Sequence, residues 1–374
     1  MTIERTKLPP LARRLDHFDS SGIRRVFDLA AKMDDPIDMS IGQPDFDVPE
    51  PVKQAAIRAI TEGKNGYAIT QGVTALREAL QQRVDAEYGH ADRKVMVTSG
   101  TSGGLVLAIM ALVDPGDEVI VLDPYFVMYP SLVALAGGTC TFIDTYPDFR
   151  IDLDKVAAAI TPRTKAMLFN SPANPTGYVA STAEIAGLAS LAAERNIALI
   201  SDEVYRRFCY DEPFHSPAAV HEGTIVVDGF SKSHGMTGWR LAWAHGPAEI
   251  IDCMVRLQQY TFVCAPQPVQ WAGVAALDVP MQEAIDAYRR KRDLVYHGLA
   301  DRFELHRPGG AFYAFPKVPE GMTGRDFVAR AMDQGLLIIP GKIFSRRDTH
   351  VRISYATADA TLERGIKVLR DLAG

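Results

Sequence analysis

Short apolar runs rich in β-branched residues alternate with amphipathic segments through the middle of the chain. The runs predicted to be strands are residues 95–98, 119–122, 139–143, 166–169, 198–200 and 225–227. Between them, segments such as residues 104–112 and 183–195 repeat apolar side chains at helical spacing. Strands that alternate with helices in this way predict a mostly parallel sheet with helices on both faces.

The pattern changes after Pro280. A long, charged amphipathic helix is predicted over residues 282–303, and a closing helix over residues 362–372. Short strands are predicted near residues 311–315 and 351–355. This mixture is typical of a smaller α+β domain.

The length of the chain also favours two domains, because 374 residues exceed what one hydrophobic core usually supports. Residues near 14–41 are expected to join the smaller domain. We predict an N-terminal arm at 1–14, a small-domain part at 15–45, a large domain at 46–281 and a C-terminal small domain at 282–374.

Composition and charge narrow the classes of partner. The formal net charge is -6, and no basic stretch is dense enough to follow a nucleic-acid backbone. Cys140, Cys209, Cys253 and Cys264 form neither a CxxC pair nor a Cys/His cluster, which disfavours a metal site or a disulfide framework. No segment approaches the uncharged length needed to cross a bilayer. We therefore expect a cytoplasmic protein without metal, nucleic acid or membrane as partner.

Two glycine-containing segments are candidates for binding phosphate. The run GLLIIPGKI at residues 335–343 resembles a P-loop, but its glycines are one residue too far apart and Ile343 replaces the required Ser or Thr. The run SGTSGGL at residues 99–105 follows a strand and opens a helix, so backbone N–H groups and the Thr101 and Ser102 hydroxyls could hold an anion. A tight turn with a capping serine explains this second run about as well.

Candidate ligand-binding or reactive groups follow three further predicted strands. The loop NSPANPTG at residues 170–177 follows an apolar strand, where ligands bind in open α/β sheets, although a rigid turn is the simpler alternative. Asp202 ends a buried strand, and a carboxylate so placed needs a partner. Lys232 lies among small and hydroxyl residues directly after the apolar segment 224–228, a setting that calls for an amine rather than a surface charge.

Taken in this order, the segments resemble the class I and II aminotransferases of the fold-type I pyridoxal phosphate (PLP) superfamily. The resemblance runs from SIGQPDFDVPEPV at residues 40–52 to VRISYA at residues 351–356. Its most specific element is the lysine signature GFSKSHGMTGWRLA, which begins at Gly229. It implies an α/β fold with a mostly parallel, seven-stranded-type sheet in a large PLP-binding domain and a smaller α+β domain. It also implies a homodimer with shared active sites.

The resemblance assigns cofactor roles to individual residues. Lys232 would form the Schiff base with PLP, and Asp202 would pair with the protonated pyridine nitrogen. Tyr205 and Asn174 would bind the O3′ oxygen of the ring. Phe126 in DPYFVMYP would lie over the ring. For Lys232 the alternative is a surface lysine, and for Tyr205 and Phe126 it is ordinary core packing.

Phosphate binding is implied for Ser231 and Arg240, together with the helix start formed by Gly100, Thr101 and Ser102. Arg240 could instead make a structural salt bridge. Tyr67 would reach across a two-fold interface to the phosphate of the neighbouring subunit, or else is an exposed turn aromatic.

Substrate recognition is implied for Arg352, which would clamp the substrate α-carboxylate, with Gly42 and Asn174 beside it. A surface arginine at a strand end is the alternative for Arg352. In many prokaryotic-type aspartate aminotransferases a lysine occupies the position of Ser102, so aspartate, aromatic and other neutral donors all stay open.

We therefore expect a PLP-dependent aminotransferase that moves the α-amino group of an L-amino acid to a 2-oxo acid, with 2-oxoglutarate the expected acceptor, by a ping-pong mechanism. A β- or γ-lyase would use the same fold and cofactor, and would release ammonia without an acceptor. A regulator that keeps the fold without the chemistry is the non-enzymatic alternative.

Overall fold

A computed structural model describes residues 35–374 together with residues 11, 12, 15 and 33. Most of the predicted N-terminal arm, and residues 16–32 of the segment predicted to join the smaller domain, lie outside the described residues.

The elements follow the predicted alternation closely. In chain order the strands are β1 (Ile37–Asp38), β2 (Arg93–Ser99), β3 (Glu118–Asp123), β4 (Thr139–Asp144), β5 (Thr164–Asn170), β6 (Ala198–Asp202), β7 (Ile225–Gly229), β8 (Leu241–Pro247), β9 (Tyr313–Ala314), β10 (Leu336–Leu337), β11 (Ile339–Pro340) and β12 (Val351–Ser354). The helices are α1 (Glu50–Thr61), α2 (Thr74–Tyr88), α3 (Gly100–Leu112), α4 (Met128–Leu135), α5 (Leu153–Ala159), α6 (Thr182–Arg195), α7 (Phe230–Ser233), α8 (Ala248–Tyr260), α9 (Gln267–Ala276), α10 (Gln282–Leu299), α11 (Gly324–Asp333) and α12 (Asp359–Ala373).

Seven strands form the main sheet, in the order β2-β8-β7-β6-β5-β3-β4. β8 runs antiparallel to both of its neighbours, and the remaining pairs are parallel. The predicted mostly parallel α/β sheet is thus confirmed. Its seventh strand, β8, was not among the strands predicted from apolar runs, because His245, Gly246 and Pro247 interrupt the β-prone pattern.

Side-chain alternation along the strands explains how both faces are covered. In β3, Val119 and Val121 pack with Leu105 of α3 on one face of the sheet. Ile120 points the opposite way and packs with Leu188 of α6. Successive residues of a strand face opposite sides of the sheet, so a continuous apolar run is buried on both faces.

A second, smaller arrangement of strands is built from the C-terminal part of the chain. β11, β12 and β9 form an antiparallel three-stranded sheet, and β1 pairs with β10 in parallel. The predicted helix at 282–303 ends at Leu299, and the strands predicted near 311–315 and 351–355 are shorter than expected. The domain boundaries themselves stay a prediction.

None of the described helices has the length and apolar composition needed to span a membrane.

Candidate functional site

A cavity of about 310 Å³ opens where the carboxyl ends of the parallel strands face the smaller sheet. Eleven of the thirteen site residues predicted from the sequence line it: Gly42, Thr101, Ser102, Phe126, Asn174, Asp202, Tyr205, Ser231, Lys232, Arg240 and Arg352. The other lining residues were not predicted from the sequence: Ile41, Gln43, Asn170, Val204, Thr237 and Tyr313.

Lys232 lies in the short helix α7, which directly follows β7, and its ammonium group points into the cavity. Its Nζ donates a hydrogen bond of 2.6 Å to the carbonyl oxygen of Gly42. Burial lowers the pKa of Lys232 to about 8, helped by the positive charges of Arg352 and Arg240 and opposed by Asp202. A substantial fraction of the amine is therefore neutral near physiological pH, and a neutral amine is nucleophilic.

Asp202 ends β6 and is buried. Its Oδ2 accepts a hydrogen bond of 2.9 Å from the hydroxyl of Tyr129, and its Oδ1 lies 3.4 Å from the backbone nitrogen of Val204. Burial raises the pKa of Asp202 to about 6, although Tyr129, Val204 and Lys232 favour the ionised form. Within the described part of the chain no Lys or Arg lies at salt-bridge distance from this carboxylate. The site is suited to a cationic group in the cavity.

Tyr129 was not predicted from the sequence, although it lies in DPYFVMYP three residues after Phe126. The two rings meet edge-on, with centroids 5.6 Å apart and planes at 80°. Phe126 faces the cavity, while Tyr129 is buried behind it beside Asp202. An aromatic in an apolar run reads as core, so sequence pattern alone did not separate these two roles.

The start of α3 forms a region suited to an anion. Gly100 has φ +71°, and a Cβ at this position would collide with the Arg240 guanidinium, so the close approach of Arg240 depends on this glycine. No side chain caps the helix start, which leaves its N–H groups available beside Thr101 and Ser102. The Ser231 Oγ is buried and has no hydrogen-bond partner among the described residues. A buried hydroxyl without a hydrogen-bond partner is typical of a site that binds a polar ligand group.

Arg352 enters the cavity from β12 and is only 2% exposed. Its Nη1 donates to Asn174 Oδ1 at 3.1 Å and its Nη2 to the Ser40 carbonyl at 2.7 Å, whereas its Nε has no partner among the described residues. The guanidinium packs on the rings of Tyr313 and Phe344, with its Cζ 4.6 and 4.5 Å from their centroids. No described carboxylate pairs with it. A buried cation without a counter-ion favours binding of an anion.

Tyr205 and Tyr313 connect the two sides of the cavity. Their hydroxyl oxygens are 2.8 Å apart, and both side chains are buried. Tyr205 was predicted from the sequence and Tyr313 was not, although the run GGAFYAFP that contains it is rich in glycine and aromatic residues. The signal was weak because the same composition is common in a buried strand.

Two predicted residues do not line the cavity. Gly100 lies behind Arg240, where it affects the cavity through that side chain. Tyr67 lies in the loop between α1 and α2 and is 87% exposed, so the isolated chain does not bring it to the site. Arg240 itself is exposed and donates to the Thr237 carbonyl at 3.0 Å, and no described carboxylate pairs with it. This side of the cavity is open in the single chain.

Comparison with known proteins gives consistent results over nearly the whole chain. A protein-family model described as "Aminotransferase class I and II" matches residues 34–369. The chain is 37% identical over 374 residues to a probable aspartate aminotransferase of Methanocaldococcus jannaschii, covering 97% of this chain and 99% of the relative. It is 35% identical to aromatic-amino-acid aminotransferase 2 of Thermococcus litoralis, covering 96% of this chain and 98% of the relative. A structure of aspartate aminotransferase from Thermus thermophilus with maleate superposes with a TM-score of 0.93 at 37% identity, covering 98% of this chain and all of that one.

Proposed function

The chain belongs to the class I and II aminotransferases, which are PLP-dependent transferases, and we propose that it transfers the amino group of an L-amino acid with an uncharged side chain to 2-oxoglutarate. Family membership supports transamination over the lyase and regulator alternatives. The observation that carries the proposal is the convergence of Lys232, Asp202 and Arg352 on one cavity.

The residues present fit PLP. The cavity of about 310 Å³ is within the size range of small-ligand sites. The unpartnered Ser231 hydroxyl, the uncapped start of α3 and the Arg240 guanidinium offer donors for a phosphate. Asp202 offers a carboxylate for a protonated ring nitrogen, and Lys232 offers an amine for covalent attachment. When bound, PLP supplies an electron-withdrawing ring that stabilises negative charge at the substrate α-carbon.

Lys232 has two tasks in this proposal. Its partly neutral Nζ attaches the cofactor, and burial beside two arginines keeps the amine reactive. With cofactor and substrate bound, the Lys232 Nζ would act as the base that takes the proton from the substrate α-carbon and as the acid that gives it back. The hydrogen bond to the Gly42 carbonyl holds the amine at the edge of the cavity that faces the smaller sheet.

Asp202 and the polar side chains around it are proposed to hold the cofactor ring in its protonated form. The Tyr129 hydroxyl donates to Asp202 and favours the ionised carboxylate, which offsets part of the cost of burial. Tyr205 and Asn174, which line the same cavity, would bind the phenolic oxygen of the ring. Both side chains are buried, which limits the rotamers they adopt.

Arg352 is proposed to bind the α-carboxylate of both substrates. Its guanidinium plane is fixed by two aromatic rings and by Asn174 and the Ser40 carbonyl, so the fork is oriented before a substrate arrives. The Nε has no partner among the described residues, so its donor hydrogen is available to a ligand. A carboxylate would supply the missing counter-ion.

The preference for a donor with an uncharged side chain rests on the number of cations that line the cavity. The described cations that line it are Lys232, Arg240 and Arg352, and the proposal assigns one each to the cofactor aldehyde, the phosphate and the substrate carboxylate. Ser102 stands where a lysine would supply a further cation. Ile41 and Phe126 add apolar surface. No further described cation is assigned to the donor side chain, so a neutral or aromatic donor is favoured over aspartate, and the second carboxylate of 2-oxoglutarate would be held by neutral hydrogen-bond donors.

A donor panel tests this preference. The purified holoenzyme would be assayed with phenylalanine, tyrosine, methionine, leucine and aspartate, each against 2-oxoglutarate, and the kcat/KM values compared. We expect the aromatic and methionine donors to exceed aspartate by at least about tenfold. A Ser102→Lys variant should raise kcat/KM for aspartate specifically. Aspartate as the best donor of the wild type would contradict the proposed preference.

We also propose that the active species is a homodimer with shared sites. Tyr67, Tyr260 and Ile69 are exposed apolar or aromatic residues, at 87, 86 and 55%. Phe262, 38% exposed, lies beside α3 near Gly103, close to the open phosphate side of the cavity. Exposed apolar residues next to an incomplete polar site favour coverage by a second copy.

The cytoplasm stays the predicted location of the enzyme. Its four cysteines are free thiols, which fits a reducing compartment. Cell fractionation of the producing organism would test this.

A further inference from the structure

Tyr313 touches both halves of the cavity. Its hydroxyl lies 2.8 Å from that of Tyr205, and its ring covers one face of the Arg352 guanidinium at 4.6 Å. The same hydroxyl is so close to Gly42 that a Cβ at that position would collide with it. Gly42 in turn accepts the hydrogen bond from Lys232. Resting on the proposed function, we propose that Tyr313 is a positioning residue that sets the hydroxyl proton of Tyr205 towards the cofactor and the plane of Arg352 towards the substrate carboxylate.

The smaller sheet fixes the position of Tyr313. β9 pairs with β12 so that Tyr313 lies opposite Ser354 and Ala314 opposite Ile353, next to the strand that carries Arg352. The Tyr313 ring is 1% exposed, and it meets the ring of Tyr205 edge-on at 5.7 Å and 83°. A side chain packed on several faces has few alternative rotamers, so its hydroxyl is a fixed reference point.

The direction of the hydrogen bond follows from counting protons. A phenol carries one donor hydrogen and accepts through its oxygen. If Tyr205 donates its proton to the phenolic oxygen of the cofactor, the bond between the two tyrosines must be donated by Tyr313. Tyr313 therefore completes a two-step chain that ends on the cofactor, and such chains strengthen each donor in turn. Without the Tyr313 hydroxyl, Tyr205 loses this bond.

The ring of Tyr313 has a separate role at Arg352. The Phe344 ring also packs on the guanidinium, with its centroid 4.5 Å from the Cζ atom, so two rings restrict the orientation of its plane. A buried guanidinium binds a carboxylate through two parallel hydrogen bonds only when its plane is correctly oriented. Loss of the hydroxyl and loss of the ring should therefore affect different measurements.

Tyr313→Phe tests the hydroxyl, because it keeps the ring. In a pH titration of the bound cofactor's visible absorbance, we expect the pKa of the covalent cofactor linkage to rise by about half a unit to one unit, the equivalent of about a 3- to 10-fold change in its proton affinity. We expect kcat to fall by about 3- to 10-fold and KM for the amino acid to change by less than about 3-fold. Tyr355→Phe is the matched control, since this buried hydroxyl contacts the Ala311 carbonyl at 3.3 Å and does not line the cavity.

A double-mutant cycle shows whether Tyr313 acts through Tyr205. The Tyr205→Phe variant should show the larger shift in the titration, and adding Tyr313→Phe should change it no further. A full additional shift in the double variant, or a Tyr313→Phe titration identical to that of Tyr355→Phe, would overturn the proposal. Failure of the wild type to show cofactor absorbance would instead refute the proposed function.

Tyr313→Leu tests the ring. We expect KM for the amino acid and for the oxo acid to rise together by about tenfold or more relative to Tyr313→Phe. Equal KM values in the two variants would refute the role of the ring. If Tyr313→Leu does not fold, the titration of Tyr313→Phe decides the hydroxyl role, and Phe344→Leu tests stacking on Arg352 through the second ring.

Discussion

The two halves of the cavity are built in different ways. On the main-sheet side, Asp202 ends β6, Lys232 follows β7 by three residues and Asn174 follows β5 by four, so strand ends place each group locally. On the small-sheet side, Arg352 and Tyr313 come from strands of four and two residues. Their positions depend on stacked rings and contacts far apart in sequence.

The halves also differ in how their charges are balanced. Asp202 has a hydrogen-bond donor in Tyr129 and feels the positive charge of Lys232, so its ionised form is partly compensated before any ligand binds. Arg352 is buried without a described carboxylate, so among the described residues its charge is balanced by ring faces and neutral hydrogen-bond acceptors. We infer that the main-sheet half is organised to keep a resident group, whereas the small-sheet half gains most when a substrate carboxylate arrives.

Among the substitutions that distinguish the two halves of the cavity, Asp202→Asn should reduce activity most. Asp202→Asn keeps the shape and the acceptor for Tyr129 but removes the negative charge from the cofactor side. We expect kcat to fall roughly 10²–10³-fold with little change in the KM of the carboxylate substrates, because the lost stabilisation is electrostatic and local. Steady-state kinetics at saturating PLP measure this, and an unchanged kcat would contradict the assigned role.

The same substitution should stabilise the protein freed of cofactor. Because burial raises the folded-state pKa of Asp202 from 3.8 to about 6, its favourable contribution is complete below pH 4 and is lost as pH rises through about 6. We therefore expect the Asn variant to melt at a higher temperature than wild type at pH 7.5, and the difference to shrink towards pH 4.5. Thermal unfolding of both apoproteins across this range checks the sign. A lower melting temperature of the variant at pH 7.5 would show that the carboxylate is stabilising instead.

Arg352→Lys tests the small-sheet half, because it should weaken substrate binding without affecting the cofactor. Lysine keeps the positive charge but loses the planar fork and its stacking, so KM for amino acid and oxo acid should rise together by about 10- to 100-fold. The affinity for PLP and the spectrum of the bound cofactor should change little. An equal loss of PLP and substrate affinity would indicate a structural role for Arg352.

Tyr67→Phe should have the smallest effect, since it removes one hydroxyl that is exposed in the single chain. If Tyr67 reaches the phosphate of a neighbouring subunit, PLP affinity should fall by about 3- to 10-fold without loss of the fold. Mixed dimers of a Tyr67→Ala subunit and a Lys232→Ala subunit should recover activity above either parent, because one of their two sites has both residues. A fully active monomer in light scattering at the assay concentration would rule out shared sites.

The sequence predicted the main-sheet half better than the small-sheet half, and the reason is physical. Lys232, Ser231 and Arg240 lie in one continuous segment, and Asp202 and Asn174 follow apolar runs that are recognisable as strands. Tyr313 was missed because its strand has two residues and its neighbours are buried alanines and phenylalanines, a composition that fits any core. Tyr129 was missed because an aromatic in an apolar run reads as core, and its contact with Asp202 became visible only in the structure.

Mapping the lysine that carries the cofactor decides whether Lys232 is the attachment site. The holoenzyme would be reduced with borohydride, digested, and its peptides mapped by mass, with unreduced enzyme as the control. We expect loss of the visible absorbance and one modified peptide that contains Lys232, because its Nζ lies in the cavity with Asp202 and its pKa is lowered to about 8. A modified peptide that carries a different lysine would contradict this assignment.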